Sequence, residues 1–338
     1  MNFQSRSFFV IISLVLLLIV LALLDIRLGS VEITFAEMIG HLWDSDSLSQ
    51  QQLIILNKFR LPRLATALLA GAALPVCGLQ MQTLFRNPLA GPYVLGISSG
   101  ASFGAALVVL GVGATGIVAT WSLALAAWIG AGTVMLLLLF VSFRIKDVMT
   151  ILILGIMFSS GLAAVISIMQ YFSQAAALKS FVIWSMGSLG NVTGAQLQIM
   201  TWAILPLLVF SFGYVKVLNG LMLGEEYAVT MGIRIRRSRI ITLATTSILA
   251  GTITAFCGPI GFIGIAVPHM ARFLFRQSDH RILMPATMLT GMVVLVLSDI
   301  ISQLPGTEKV LPINAVTSLI GIPVVIWLVI MNRKVQSI

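Results

Sequence analysis

A succession of stretches in this chain is apolar enough and long enough to cross a bilayer, and that pattern limits the fold more than any other feature. They run near 8–28, 62–84, 93–112, 117–143, 148–171, 195–217, 240–257, 282–303 and 311–331, each bounded by charge or by a Gly/Pro break, with a shorter one at about 260–275. A segment in lipid must satisfy its own backbone N–H and C=O groups, so these runs read as helices. The expected fold class is all-α, a polytopic membrane protein of about ten transmembrane helices with both termini on one side. Composition agrees, since 338 residues that are 59% hydrophobic and 9% charged leave too little polar surface to solvate a soluble exterior. The first run ends in Leu24-Asp-Ile-Arg-Leu28, with no small-residue cleavage site, and reads as an uncleaved span.

The net charge of +9 is distributed between the apolar runs and not along one polar face, which argues against nucleic acid as a partner and for loops retained in the cytoplasm. With the N-terminus inside, the cytoplasmic side collects Arg6, Arg86, Arg144, Lys146, Lys216, Arg234, Arg236, Arg237, Arg239, Arg272, Arg276, Arg281, Arg333 and Lys334. The outer side keeps Arg27, Lys58, Arg60, Arg63, Lys179 and Lys309. Cys77, Cys257, His41, His269 and His280 are scattered, so no metal-ligand spacing is present and any metal would arrive inside a ligand. No Gly-x-x-x-x-Gly-Lys-Ser/Thr phosphate loop occurs; no cofactor is expected in this chain, and a nucleotide motor would be a separate subunit.

Several local features ask for an explanation. The segment 218–239 concentrates charge, with Glu225 and Glu226 followed by Arg234, Arg236, Arg237 and Arg239. It reads either as a solvated anchoring loop or as a docking surface for a soluble partner. Arg60 and Arg63 lie on the outer side against the charge rule, flanking Pro62, and a pair of guanidiniums there suits the carboxylates of an external protein. Loops 29–61 and 172–194 are too long for simple connectors; the first suggests surface helices, the second a turn-rich cap around Trp184 to Asn191. Gly/Pro-interrupted stretches at 88–104 and 258–268 are paired breaks of the kind that border a central pathway. Gly71, Gly78, Gly96, Gly100 and Gly104 read first as close helix packing. Asp299 is either an intramembrane proton relay or a pairing group, and His269 either an iron ligand or a locally hydrogen-bonded side chain.

Taken together, Arg60-Leu-Pro-Arg63, Gly71-Ala-Ala-Leu74, Asn87-Pro-Leu-Ala-Gly-Pro92, Leu95-Gly-Ile-Ser-Ser-Gly-Ala101, Leu223-Gly-Glu-Glu-Tyr-Ala228 with Gly232, and Gly258-Pro-Ile-Gly-Phe-Ile-Gly-Ile-Ala-Val-Pro-His-Met-Ala-Arg272 resemble the FecCD family of bacterial permeases over nearly the whole length. These are membrane subunits of ATP-driven importers for iron-siderophores, haem and cobalamin, with the type II ABC importer permease fold. The resemblance implies a single permease domain over 1–338 in the bacterial cytoplasmic (inner) membrane, and a dimer of permeases with the substrate path on its axis. It also implies ATPase subunits that bind ATP and Mg, and a periplasmic or lipoprotein substrate-binding protein. On this likeness Leu223, Gly224, Glu225, Glu226, Tyr227, Ala228 and Gly232 contact the ATPase, Arg60 and Arg63 face the binding protein, and Val148, Met149 and Thr150 lie at a cytoplasmic gate. A further external arginine of the cobalamin importer falls near Gln303, where this chain departs from the pattern. The competing class is a proton- or sodium-coupled secondary transporter, which needs intramembrane carboxylates.

Overall fold

The computed structural model describes residues 3–28, 49–112, 117–145, 147–303 and 310–336. The elements in chain order are α1 (Phe3–Arg27), α2 (Gln50–Ile55), a π-helical turn (Leu56–Arg60), α3 (Leu61–Phe85), a 3-10 turn (Pro92–Leu95), α4 (Ile97–Ala106) with a π-helical extension (Leu107–Val112), and α5 (Ile117–Arg144). They continue as α6 (Val148–Phe172), α7 (Ala175–Ser185), α8 (Gly194–Gly213), α9 (Val215–Met222), α10 (Glu225–Thr230), α11 (Ile235–Cys257), α12 (Ile263–Phe275), α13 (His280–Ser302) and α14 (Ile313–Gln336). Among the described residues, 7 helices are long and apolar enough to span a bilayer. Helices α4, α12 and α14 fall on the remaining expected crossings, so the all-α polytopic architecture stands.

Packing is radially graded. α3 is the hub, with 83% of its most apolar window buried, against 17% for α6 and 6% for α1. Helices α11, α12 and α13 surround it, and the core they share includes Leu74, Leu79, Ile253, Val267 and Leu295. A second core joins α4 and α5 through Ala101, Ala105, Ala127 and Ala131. The glycines explain how polypeptides without a water-driven force between them come so close. A methyl group on Gly71 would lie 2.7 Å from the carbonyl oxygen of Gly291, and one on Gly100 would lie 2.5 Å from that of Gly130. Thus α3 packs backbone to backbone on α13, and α4 on α5.

The two Gly/Pro breaks appear where they were expected. α3 ends at Phe85 with Arg86 in the left-handed conformation, and α11 ends at Cys257 before Gly258 at φ +72°. Their freed backbone groups find protein partners, as depth in a membrane demands. Ile260 N–H donates to the Tyr93 hydroxyl (3.3 Å), Gly261 N–H to Asn314 Oδ1 (2.8 Å) and Ser188 N–H to the Cys257 carbonyl (2.7 Å). The first bond joins one break to the other.

Two expectations change. Most of the 29–61 loop, residues 29–48, lies outside the described residues, but 50–61 is helical, capped by Ser49, and runs on into α3. Pro62 therefore does not mark a break. The π turn ahead of it, closed by Leu61 N–H to Leu56 O, widens the helix where the proline ring would crowd the preceding turn and where its N–H is missing. The 172–194 segment is not only turns, because α7 occupies its first half.

Candidate functional site

At one end of the bundle, Arg63 closes a buried pair. Its Nε donates to Asp299 Oδ2 at 2.7 Å and its Nη2 to Asp299 Oδ1 at 2.8 Å, a two-pronged bond, with a further 3.1 Å contact from Nη2 to Ser302 Oγ. Asp299 is 1% exposed. Gln303 Nε2 donates to Asp25 Oδ1 at 2.7 Å and reaches Asp299 Oδ2 at 3.4 Å, which brings the buried Asp25 of α1 into the same network. Arg60 turns the other way. Its Nη1 donates to the carbonyls of Ile26 (2.6 Å) and Arg27 (3.1 Å), where the C-terminal end of α1 presents carbonyl oxygens and partial negative charge.

Both guanidiniums expected to face an external protein are bonded within the chain, Arg60 being only 8% exposed. Asp299 is a pairing group, not an isolated carboxylate. Its neighbourhood opens into a cavity of about 320 Å³, bounded also by the turn after α7 and by residues 310–313.

At the opposite end, α10 is a one-and-a-half-turn helix set between two glycines in conformations that other residues resist, Gly224 at φ +118° and Gly232 at φ +79°. Gly232 N–H donates to Val229 O and Ile233 N–H to Ala228 O, both 2.9 Å, the paired bonds of a Schellman cap. Glu225 and Glu226 occupy the first turn, the favourable end for negative charge. Ala228 is fully buried and faces inward, whereas Leu223, Tyr227, Val229 and Met231 are exposed.

A cleft of about 800 Å³ separates residues 223–227 from Leu84, Phe85 and Arg86 at the end of α3 and from Asp147. Arg239 bridges this element to the bundle, with Nη2 donating to Glu225 Oε1 (3.2 Å) and Nη1 to Ile145 O (3.3 Å). Arg236 lies over the Phe143 ring at 5.1 Å. The charge cluster at 218–239 is therefore a short helix with exposed apolar and acidic side chains, held by Arg239, while Arg236 lies against α5.

The positions expected at a gate form the first turn of α6 beside that cleft. Asp147 caps the helix, accepting from Met149 N–H (3.3 Å), Thr150 N–H (2.9 Å) and the Thr150 hydroxyl (2.6 Å). Those bonds, the Thr150 hydroxyl foremost, hold the Asp147 carboxyl below its ordinary value. Met149 is exposed, Thr150 is tied back to Asp147, and Val148 begins the helix. His269 is locally hydrogen-bonded: its Nε2 lies 2.7 Å from Pro88 O and its Nδ1 3.3 Å from Arg272 Nη1, which also donates to Gln82 Oε1 at 2.8 Å. This set clamps α12 to the end of α3. Among the described residues no cluster of His, Cys, Asp or Glu suits a metal ion.

Bundle topology, paired breaks and the glycine-bracketed helix together define a transport scaffold, and the sequence comparison decides which. The family model of the FecCD transport family matches residues 16–331. This chain belongs to the FecCD family. Among the relatives of this FecCD protein, the hemin transport system permease protein HmuU of Yersinia pestis is 34% identical over 96% of each chain. The vitamin B12 import system permease protein BtuC of Klebsiella pneumoniae subsp. pneumoniae is 37% identical over 98% of this chain and 96% of its own. A solved structure described as an inward-facing conformation of a metal-chelate type ABC transporter superposes with a TM-score of 0.84 at 28% identity, covering 95% of this chain and 98% of that one. The FecCD chain is thus a membrane-embedded transport permease with the type II ABC importer permease fold.

Proposed function

We propose that this chain is the translocating subunit of an ATP-driven importer for an iron-siderophore, haem or cobalamin-type substrate. The observation that carries the proposal is the device around α10: a short helix with an exposed apolar face, fixed by glycines at both ends and strutted to the bundle by Arg239. An ATPase subunit fits that face, and the resemblance of 223–228 and Gly232 to the family's coupling segment supports it. ATP and Mg would be held on the ATPase, the chain itself performing no chemistry. Movement of the ATPase subunits would displace α10, and Val148, Met149 and Thr150, next to the same cleft, would form the gate. A second permease copy would complete the path, in a bacterial inner membrane with both termini cytoplasmic.

The Arg63 end would then be external and receive the substrate-binding protein. Since Arg60 and Arg63 are already engaged, their part in docking would be to fix the rim formed by α1, α3 and α13, with contact made by that rim as a whole.

A secondary transporter is the weaker reading, because the carboxylates Asp25 and Asp299 are each hydrogen-bonded within the Arg63 network. Uptake of haemin, cyanocobalamin and a ferric hydroxamate by cells expressing the chain with its partners tests the choice. Uptake of at least one that survives collapse of ion gradients and stops on ATP depletion is expected; the reverse pattern refutes ATP-driven import. Charge reversal by Glu225→Lys with Glu226→Lys is expected to reduce co-purification of the ATPase or to separate its hydrolysis from uptake. Retention of both would place the contact elsewhere.

A further inference from the structure

Directly behind the proposed coupling element lies a partly buried knot of side chains that neither of the two ends described above uses. Asn219 sits on α9, and α10 is folded back against that helix, with Ile233 packed so closely over Gly220 that a methyl group there would overlap it. The Asn219 Nδ2 donates to Asp279 Oδ1 at 2.7 Å, and its Oδ1 accepts from the His280 backbone N–H at 2.9 Å. A carboxylate needs a donor and an N–H needs an acceptor, so the amide has a single satisfactory orientation. Its oxygen then faces His280 Nδ1 at 2.7 Å and requires the proton to be on that nitrogen. Nε2 is left as an acceptor, 2.8 Å from the hydroxyl of Thr83 in the last turns of α3; the one hydroxyl proton is shared between that nitrogen and the Leu79 carbonyl, also at 2.8 Å. His280 is 1% exposed, and Asp279 also caps α13 through Arg281 N–H at 2.8 Å.

Hydrogen bonds therefore join α9, α13 and α3, with the Asn219 amide and the His280 ring each held in one orientation. The same α3 and α13 touch through Gly71 and Gly291 at mid-length and are pinned by Arg63 and Asp299 at the far end. Helices joined at both ends and in the middle move as one body. Helix α6, by contrast, is mostly unburied within this chain.

We infer that Asn219 and His280 are positioning residues that gear the coupling element to the α3–α13 pair. Displacement of α10 is delivered through this knot to a rigid two-helix strut that reaches the opposite face of the membrane, and α6 changes its position relative to that strut. The inference rests on the importer reading above and adds the route by which motion crosses the membrane.

Electron–electron distance measurements test both parts separately. Spin labels at Val229→Cys on α10, Ile301→Cys at the far end of α13 and Met157→Cys on α6 all occupy exposed positions. Complexes with the co-purified ATPase, assembled in nanodiscs with excess unlabelled chain, are compared nucleotide-free and trapped with ATP and vanadate. The expected result is a Val229–Ile301 distance that does not change and a Val229–Met157 distance that shifts by about 2 Å or more, a helix shift of ordinary size.

Asn219→Asp sets a second carboxylate against Asp279 and is expected to broaden the Val229–Ile301 distribution about two-fold; the swap Asn219→Asp with Asp279→Asn restores one donor and one carboxylate and narrows it again. Thr83→Val, which removes the hydroxyl with little change of shape, gives a second broadened variant, and Thr83→Ser rescues it. A merely structural role would lower thermal stability without this pattern of rescue. An unchanged distribution in both broken variants, or a Val229–Ile301 distance that moves with nucleotide as much as Val229–Met157, overturns the gearing and leaves the importer reading intact. If no distance responds to nucleotide in the unmutated knot, the importer reading fails and the gearing with it.

Discussion

Arg63 and Asp299 are worth more as a pair than either is alone. Two buried ions gain enough attraction to offset their lost hydration only when both are present and well oriented, and removal of one leaves the other stranded. Arg63→Ala is expected to cost about 3–5 kcal/mol in an equilibrium unfolding assay in mild detergent, and adding Asp299→Leu should recover most of that loss. Additive effects of the two changes would show that the pair does not act as a unit. Asp147 makes a different prediction. Its folded carboxyl lies below the ordinary 3.8, so the cap on α6 is complete above that pH and is lost only as pH falls through the depressed value. Hydrogen exchange at Met149 and Thr150, corrected for intrinsic rate, should be the same at pH 7 and pH 5, and faster at both in Asp147→Ala. The anomaly at Arg60 and Arg63 was legible in the sequence, but its meaning was not. Their partners stand 34 and 236 residues away, and an arginine that answers a distant acid looks the same in a sequence as one that awaits another protein.

Among the elements, the apolar runs located the spans to within a few residues because lipid leaves few alternatives, and the short run at 260–275 became α12 (Ile263–Phe275). Glycine spacing correctly pointed to close packing without naming the pairs. Gly291→Val should test the α3–α13 contact: the added branches meet Gly71 and Pro75, and overpacking of that kind costs about 1–3 kcal/mol in the same unfolding assay. No loss of stability would mean that the helices separate at little cost. Helix continuity through Pro62 could not be foreseen, since a proline beside charge reads as a start and only the π turn shows how the helix absorbs it. Helix α7 escaped for the opposite reason. Its 11 residues are apolar but too few to span, and the turn residues after it dominated the pattern. The charged segment 218–239 stood out because charge is so scarce elsewhere, whereas the knot behind it consists of ordinary polar residues spread over 83, 219, 279 and 280, with only the capping Asp279 before an apolar run as a local signal.

At the scale of the whole molecule, topology and family were carried by motifs distributed along the chain, while the radial order of the helices was not, because it depends on contacts between segments remote in sequence. That order has a consequence for how the protein is made. The most enclosed helix is synthesised early, yet the helices that enclose it come from the last third of the chain. Arg63 leaves the ribosome 236 residues before Asp299, and at 5–20 residues per second that is a delay on the order of 10–50 s. Throughout it Arg63 lacks its final partner. Chains truncated before α13 should therefore insert and then be cleared by membrane proteolysis, whereas truncation after Ser302 should leave a longer-lived product, a difference that pulse–chase labelling would reveal. The central helix of this permease is made early and enclosed late.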